Sequence, residues 1–490
     1  MFEDLSNVGM NTGASQSMDA QQAEELVKTL QVGHANGLNA PGSLVGGAAL
    51  VAESLDNTLK SVTYDATNLV FWPSIPQDRA YSLTEQYVRT NAYGDGGTPY
   101  IPESGSPVMN DAEYNRHSQK VVFFSTRRGV SLASTLVRQA LGADPETREN
   151  QAGTMWMLEK LERELYKGLA DFSSAGEFDG NMGAIPLKLQ NLNLAGTELQ
   201  IIQGDADFTA QDRAFDGFGG STSVLVDKEG EVLNESDFEN LANILFENYS
   251  KAGECHMPSK VMSDFIKQFY PKERVNQLGV MDGKAGYIVR EMVTTLGGIS
   301  LKPNVFLKPK GRSKSQADRA GVPVGTLTFS AFTIAASTSK LKAGDIYAYE
   351  AAACNEQGEN IAQAVAGSAT IVNDGEKVSF TITDASSNVT HYAVYRTAAA
   401  GSGLKEFIGF VKKTASVTTF VDMGKKVQGS SAAYMLDARP EIMVWRQLAP
   451  LMKINLAPIT TAKEWLLWLA GTLIVFAPRK NGIFKNIGKA

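Results

Sequence analysis

The residues that could do chemistry are few and scattered. The chain has four histidines, His34, His117, His256 and His391, with no partner at metal-ligand spacing and no HExxH pair. Each reads as a solvated or structurally satisfied imidazole. Cys255 and Cys354 lie 99 residues apart with no CxxC context. They make no disulfide framework, are too few for structural zinc, and read as buried free thiols. "GGSTS" (Gly219 to Ser223) is a loop and not a nucleophile elbow. "GVMDGKAG" (Gly279 to Gly286) is one residue short for a phosphate loop and has Ala285 where Ser or Thr must meet magnesium. "GDADFTAQDRAFDG" (Gly204 to Gly217) carries carboxylates at alternate positions, but no glycine and no Glu in calcium-loop register. The reading is a protein with no catalytic residue, no cofactor and no metal.

Charge narrows the partners. Forty-six basic residues against 53 acidic give a net charge of −7, and Arg127-Arg128 with the basic residues of 308–319 do not make a phosphate-neutralising surface. The start, MFEDLSNVGMNTG, has neither a basic n-region nor an apolar h-region, so the expectation is an intracellular, soluble chain. In that setting the sequons at Asn234, Asn248 and Asn388 mean little. With 490 residues, 43% apolar and 20% charged, two to four domains are expected.

The elements that would position a function are more telling. After a polar opening, Asp19 and Gln22 form a capping-box pair, with Ala23, Leu26, Val27 and Leu30 on one helix face and Gly33 ending it. "YSLTEQYVR" and "HSQKVVFFSTRRGVSLAS" (His117 to Ser134) read as two strands. Between them the 24 residues from Tyr93 to Arg116 hold four glycines and three prolines, an irregular tip that cannot form a core. Asp144 and Pro145 then open the best helix of the chain, with Leu158, Leu161, Leu165, Leu169 and Phe172 as its stripe and Glu159–Arg163 as a supporting pair. Run to residue 171, it would be about 40 Å long. Two more helices follow. In one, Ser236 is the cap and Phe238, Leu241, Leu245 and Tyr249 share a face. The other is "PSKVMSDFIKQFYP".

Near Pro323 helical periodicity gives way to short alternating segments: "GTLTFSAF", "GDIYAYEAAACN", "KVSFTIT", "THYAVYRTA", "KEFIGFVKK" and "TTFVDMG". Six or seven strands with Gly/Asn/Asp turns over about 105 residues suit a β-sandwich. It follows the basic linker Lys308 to Gly321, and apolar body-like sequence resumes after it, so it reads as an insertion. The closing run, Trp465 to Ala477, has 13 residues before Pro478, too short to cross a bilayer as a helix. It reads as two doubly buried strands bent at Gly471-Thr472, with "RKNGIFKNI" as the last strand.

In this order, the blocks "GGAALVAESLDNTLKSVTYDATNLVFWPSIP", "VVFFSTRRGVSLAS", "MWMLEKLERELYKG", "EFDGNMGAI" and "LAPLMKINLAPITTAKEWLLWLAGTLIVFAPRKNGIFKNI" resemble the major capsid proteins of large contractile-tailed bacteriophages. The resemblance covers nearly the whole chain. It implies an α+β, Hong Kong 97-type shell fold with an inserted immunoglobulin- or fibronectin-like sandwich. It places an N-terminal arm with a short helix at 1–77, an extended loop at 78–130, a peripheral domain at 131–195 with spine helix 145–171, an axial domain at 196–310, the insert at 323–429, and the return to the body at 435–490. It further implies a structural, non-enzymatic protein of the virion shell, made in the host cytoplasm. Its partners would be itself in pentamers and hexamers, portal and scaffolding proteins, decoration proteins, and packaged double-stranded DNA by weak contact, with no membrane. Two departures stand out: no Lys and Asn pair for a covalent cross-link can be picked out, and no long helical scaffolding segment precedes residue 40. Competing readings are a non-viral encapsulating shell of the same fold, a carbohydrate-binding adhesin, and a hydrolase with 94–116 as its lid.

Overall fold

The computed structural model describes residues 65–93, 100–106, 109, 111–136, 144–173, 193–206, 223–268, 290–308, 323, 326–457 and 461–488. The chain divides into one unit of residues 1–62 and 137–144 and another of 63–136 and 145–490. The helix expected after Asp19 and nearly all of the linker at 308–321 lie outside the described residues.

Strands β1 (Gln77–Arg79), β2 (Thr84–Ala92), β3 (Glu113–Lys120) and β4 (Val122–Ser131) come first. The single strand expected from His117 to Ser134 is thus two strands and a helical turn, α1 (Leu132–Leu136). Buried Val121 makes the corner, its N–H donating to the Leu83 carbonyl at 3.0 Å. There the pairing partner changes: β3 runs back along β2, while β4 joins another sheet. The long helix, α2 (Pro145–Tyr166), has 22 residues and so spans about 33 Å, less than the expected reach to residue 171. It stops because Gly168 takes φ +46°, at a point where any Cβ would strike the Leu194 carbonyl. A 3₁₀ turn (Gly168–Asp171) leads into β5 (Phe172–Ser173), and α3 (Gly196–Ala206) packs beside it. Leu161, Leu165, Leu169 and Phe172 are buried as the stripe requires, but Met157 takes the buried place expected of Leu158. The Glu159–Arg163 pair forms at 2.8 Å.

Next come β6 (Leu225–Asp227), α4 (Glu235–Glu247), β7 (Glu254–Met257), α5 (Ser259–Lys267), β8 (Glu291–Thr294) and β9 (Gly297–Pro303). Asn234 caps α4, not Ser236: Asp237 at the third position completes a capping box, accepting from the Asn234 N–H at 2.8 Å. Phe238, Leu241 and Leu245 are buried, whereas Tyr249 lies past the helix end with positive φ and is exposed.

The β-rich stretch holds β10 (Thr328–Phe329), β11 (Thr333–Ala336), β12 (Ile346–Tyr347), β13 (Tyr349–Asn355), β14 (Gly358–Glu359), β15 (Gln363–Ala364), β16 (Ala369–Thr370), β17 (Glu376–Thr383), β18 (His391–Arg396), β19 (Glu406–Lys412) and β20 (Val417–Asp422). One sheet gathers β10, β11 and β20 around β17; the other runs β14-β13-β18-β19-β5, with β15 also on β13. Alternation drives the packing: Val378, Phe380 and Ile382 of β17 turn inward onto Tyr349 and Phe420. These residues form an apolar core of their own, distinct from that of the body.

The chain then re-enters the body as β21 (Ser431–Leu436), β22 (Met443–Asn455), β23 (Ala462–Val475) and β24 (Gly482–Ile487). One sheet has the order β6-β24-β21-β7-β9-β8. Every residue of β21 is buried, because Phe484 beside it meets Phe238 of α4 while Tyr434 meets Tyr166 of α2. The other sheet has the order β1-β22-β23-β4, with α2 against one face, where Gly153 lies on Leu467 and Arg128. Glu146 near the start of α2 pairs with Lys453 and Lys463 of this sheet, and those two cations hold its carboxyl below the usual range.

The closing run is one 14-residue strand, not two bent at Gly471-Thr472. Gly471 serves packing here. The Trp445 indole, fully buried, occupies the space where a side chain would stand, so the strand passes straight through. Burial alternates from Lys463 to Trp468 and becomes continuous from Leu469 to Val475. Replacing Gly471 by Ala is expected to lower stability by about 1–3 kcal/mol through overpacking, with unchanged far-UV circular dichroism. Denaturant titration of the purified protein measures it.

Candidate functional site: the ribbon and its anchor

The described residues contain no group of three or more His, Cys, Asp or Glu placed to hold a metal ion. What stands out instead is a two-stranded ribbon of β2 and β3, in register Tyr87 to His117 with a bulge near Thr90. Its two faces differ. On one, Tyr87 stacks on His117 (5.7 Å) and meets Phe476 edge-on (5.2 Å), while Arg89 donates to the Tyr87 hydroxyl at 3.0 Å and to the Val475 carbonyl at 3.2 Å. The other presents Val88, 62% exposed, and Tyr114, 65% exposed. Tyr81, Leu83 and Tyr93 at its ends are exposed as well. Apolar side chains left in water on a free ribbon form the kind of surface that meets another protein.

The root of the ribbon is fixed by one buried carboxylate. Glu162 of α2 has no solvent exposure. Its Oε1 accepts from the backbone N–H of Val70 (3.1 Å) and Phe71 (2.8 Å), and its Oε2 from that of Trp72 (2.9 Å). The Asn304 side-chain amide donates to Oε1 as well, at 2.7 Å. Four donors stand in for the water that burial removes. Around this clamp Phe71 stacks on Tyr166 at 4.6 Å and Trp72 meets Trp445 at 5.3 Å.

The network continues inward. Asn304 Nδ2 donates to the Tyr166 hydroxyl (2.9 Å), which lies 2.8 Å from His256 Nδ1. His256 Nε2 lies 3.0 Å from Glu254, whose other oxygen pairs with Lys302. One proton arrangement satisfies all of them: the tyrosine donates to Nδ1, and Nε2–H donates to the carboxylate. Burial, reinforced by Glu162, pushes the Tyr166 hydroxyl well above its ordinary range. The hydrogen bond from His256, with Lys302 beside it, lowers Glu254 to about 2.

His256 is thus a structural histidine in a polar chain. His117 sits in the ribbon and His391 packs on Phe172 and Phe410; His34 lies outside the described residues. Cys255 and Cys354 are both buried thiols, and burial raises that of Cys255. Sequence reasoning passed over Glu162. Its one signal was a carboxylate between Leu161 and Leu165 within an apolar stripe. No described helix is long and apolar enough to cross a membrane.

No family model matches the chain. Curated relatives match it nearly end to end. The major capsid proteins of Staphylococcus phage S25-3 and Staphylococcus phage K are each 20% identical over 513 aligned positions, covering 95% of this chain and 96% of theirs. The putative major capsid protein of Enterococcus phage phiEF24C is 21% identical, covering 95% of each chain. This chain is a homologue of phage major capsid proteins. The fold is α+β, with the ribbon, the long helix and the body sheets following one another in the order that the resemblance implies. Solved structures with partial likeness include the capsid of Myoviridae phage XM1 (TM-score 0.40, 8% identity, 90% of this chain and 99% of that one) and the capsid of a native GTA particle (TM-score 0.43, 8% identity, 93% and 100%). The SrpI encapsulin of Synechococcus elongatus also appears, at TM-score 0.36 and 9% identity, covering 88% and 93%.

Two outcomes follow from the anchor. Glu162→Ala orphans three backbone N–H groups and is expected to lower stability by about 3 kcal/mol or more, read as a drop in denaturation midpoint. Because Glu254 is lowered from 4.5 to about 2, its stabilisation is present above pH 4.5 and lost as pH falls toward 2. Thermal unfolding should therefore fall more steeply across that window in the native protein than in Glu254→Gln.

Proposed function

We propose that this chain is a major capsid protein that assembles with copies of itself into pentamers and hexamers of an icosahedral shell around phage double-stranded DNA. The observation that carries this reading is homology to phage major capsid proteins over 95% of the chain. The ribbon supports it. An isolated two-stranded ribbon with apolar residues on its free face gains little by itself and becomes stabilising when laid over a neighbour. Many modest contacts of this kind close a particle that no single contact would hold, because each further one forms at high effective concentration.

In this reading residues 78–130 carry the extended loop, 131–195 the peripheral domain, and 196–310 with 435–490 the axial body. The two sheets of 328–422 form an immunoglobulin-like insert within 323–429, facing decoration proteins or the host surface. Portal and scaffolding proteins are further partners, and synthesis takes place in the host cytoplasm. The role is structural, without catalysis. A net charge of −7 suits an inner wall that holds DNA loosely.

Electron microscopy of purified native protein should show closed icosahedral particles with pentameric and hexameric units. The double substitution Val88→Asp with Tyr114→Asp should leave the subunit folded by circular dichroism and abolish closed particles. A stable monomer from the native chain, or normal particles from the double variant, would sink the reading.

A further inference from the structure

The stretch 328–422 is joined to the body by more than its two chain connections. The body strand β5 pairs in parallel with β19, Phe410 opposite Phe172, and the two rings stack at 4.9 Å. Lys426, on the chain leaving β20, lies 3.1 Å from Asp171, next to β5. A ladder of two residue pairs is weak by itself and leaves the stretch free to rock about it. A second attachment is needed to stop that motion.

Asn486 of β24 supplies it. The residue is buried, and its backbone is left-handed at φ +54°, a conformation that asparagine accepts more readily than most side chains. One orientation of its carboxamide fits the neighbours. Nδ2 donates to Asp227 Oδ1 and to the Lys425 carbonyl, both at 2.8 Å, and Oδ1 accepts from the Val427 N–H at 3.1 Å. The Ser430 hydroxyl, 3.2 Å from the same oxygen, gives its proton to the nearer Val427 carbonyl at 2.6 Å. The body thus grips the exit chain at Lys425 and Val427. The β-rich stretch holds the residue between them: Arg396 of β18, buried and paired with Asp422, donates to the Lys426 carbonyl at 2.7 Å and to the Gln428 side chain at 3.2 Å. Gly424 and Gly429, at φ +70° and +68°, bound the gripped segment.

Asp227 carries the link to the entry side. Its Oδ1 is held by Asn486, and its Oδ2 pairs at 2.6 Å with Lys340, which follows β11. Glu229 lies 3.2 Å from the same ammonium. The Lys340 N–H donates to the Met423 carbonyl at 2.8 Å, so the entry and exit sides of the β-rich stretch meet at this point.

We propose that Asn486 is a latch that fixes the direction in which the β-rich stretch leaves the body. Closed, it binds the body, the exit chain and, through Asp227, Lys340 into one rigid junction. Without its carboxamide the exit chain and Lys340 come free, and the stretch rocks about the β5–β19 ladder with its own core intact. The latch acts within one subunit, whether or not that subunit is built into a shell.

Hydrogen exchange and lysine acylation of the purified full chain test this with Asn486→Gly, which keeps the left-handed backbone and removes the carboxamide. Protection of peptides spanning 424–430 should fall about tenfold or more, while those of β17, β19 and β20 hold theirs. Lys340, reached through Asp227, should acylate about two- to fivefold faster. Unchanged protection at 424–430 would overturn the proposal. An unchanged Lys340 would make Asn486 a local cap of the exit chain and overturn it too. Loss of protection spread from β17 to β20 would also sink it, since the stretch would then be unfolding and not rocking. The native chain decides alone if the variant does not fold. Its 424–430 peptides should exchange about a hundredfold slower than their intrinsic rates, and unprotected ones overturn the latch.

Discussion

A single carboxylate carries much of this architecture. Glu162 is buried near the C-terminal end of α2, where an unpaired anion would be strongly disfavoured, and it is tolerated because three consecutive backbone N–H groups and one side-chain amide converge on it. Those N–H groups belong to residues 70–72, which precede the body strand β1 and, after it, the ribbon. The same carboxylate orders Asn304, and through Asn304 the chain of Tyr166, His256 and Glu254. Spine helix, body sheet and ribbon root therefore share one hydrogen-bonded system. Moving any one of them would strand a buried polar group in another.

That rigidity gives the ribbon its meaning. A shell subunit must present its contact surfaces in fixed directions, since an error at each interface accumulates around a closed lattice. Among the described residues the ribbon meets the body at Phe476 and at the Val475 carbonyl, and its root is held by the Glu162 clamp and the Val121 corner. The long sheet β1-β22-β23-β4 gives that root a stiff support, fastened to α2 through Glu146 and the close approach at Gly153.

The β-rich stretch obeys different physics. Its strands pair mostly with one another and bury a separate aromatic core around Tyr349, Phe380 and Phe420. Yet the two-residue strand β5 from the body completes its sheet, and Lys426 and Lys340 tie it to Asp171 and Asp227. An exposed sheet edge invites unwanted pairing, and the body strand removes that hazard. The arrangement thus combines an independent core with a tethered orientation.

Local periodicity in the sequence was enough to place α2, α4, α5 and the strands β10, β12, β13 and β17 to β20, because amphipathic spacing and turn residues act over a few positions, whereas the short strands β11 and β14 to β16 went unread. The ordered set of blocks was enough to place the chain beside phage capsid proteins. Other features depended on residues far apart in the chain. The pairing switch at Val121 depends on Leu83 and on β23, the straight course of β23 depends on the Trp445 ring against Gly471, and the end of α2 depends on the Leu194 carbonyl against Gly168. Glu162 was legible only as a misplaced charge in an apolar stripe. Its partners stand about 90 residues earlier and 142 later, and only the folded chain brings those N–H groups to it. Sequence alone determined the most strongly periodic helices and strands and what their order resembles. Tertiary structure decided where they stop, which strands they join, and why a buried anion is the right residue at their centre. Termination, pairing and desolvation are set by contacts between residues far apart in the chain, and no local pattern encodes those.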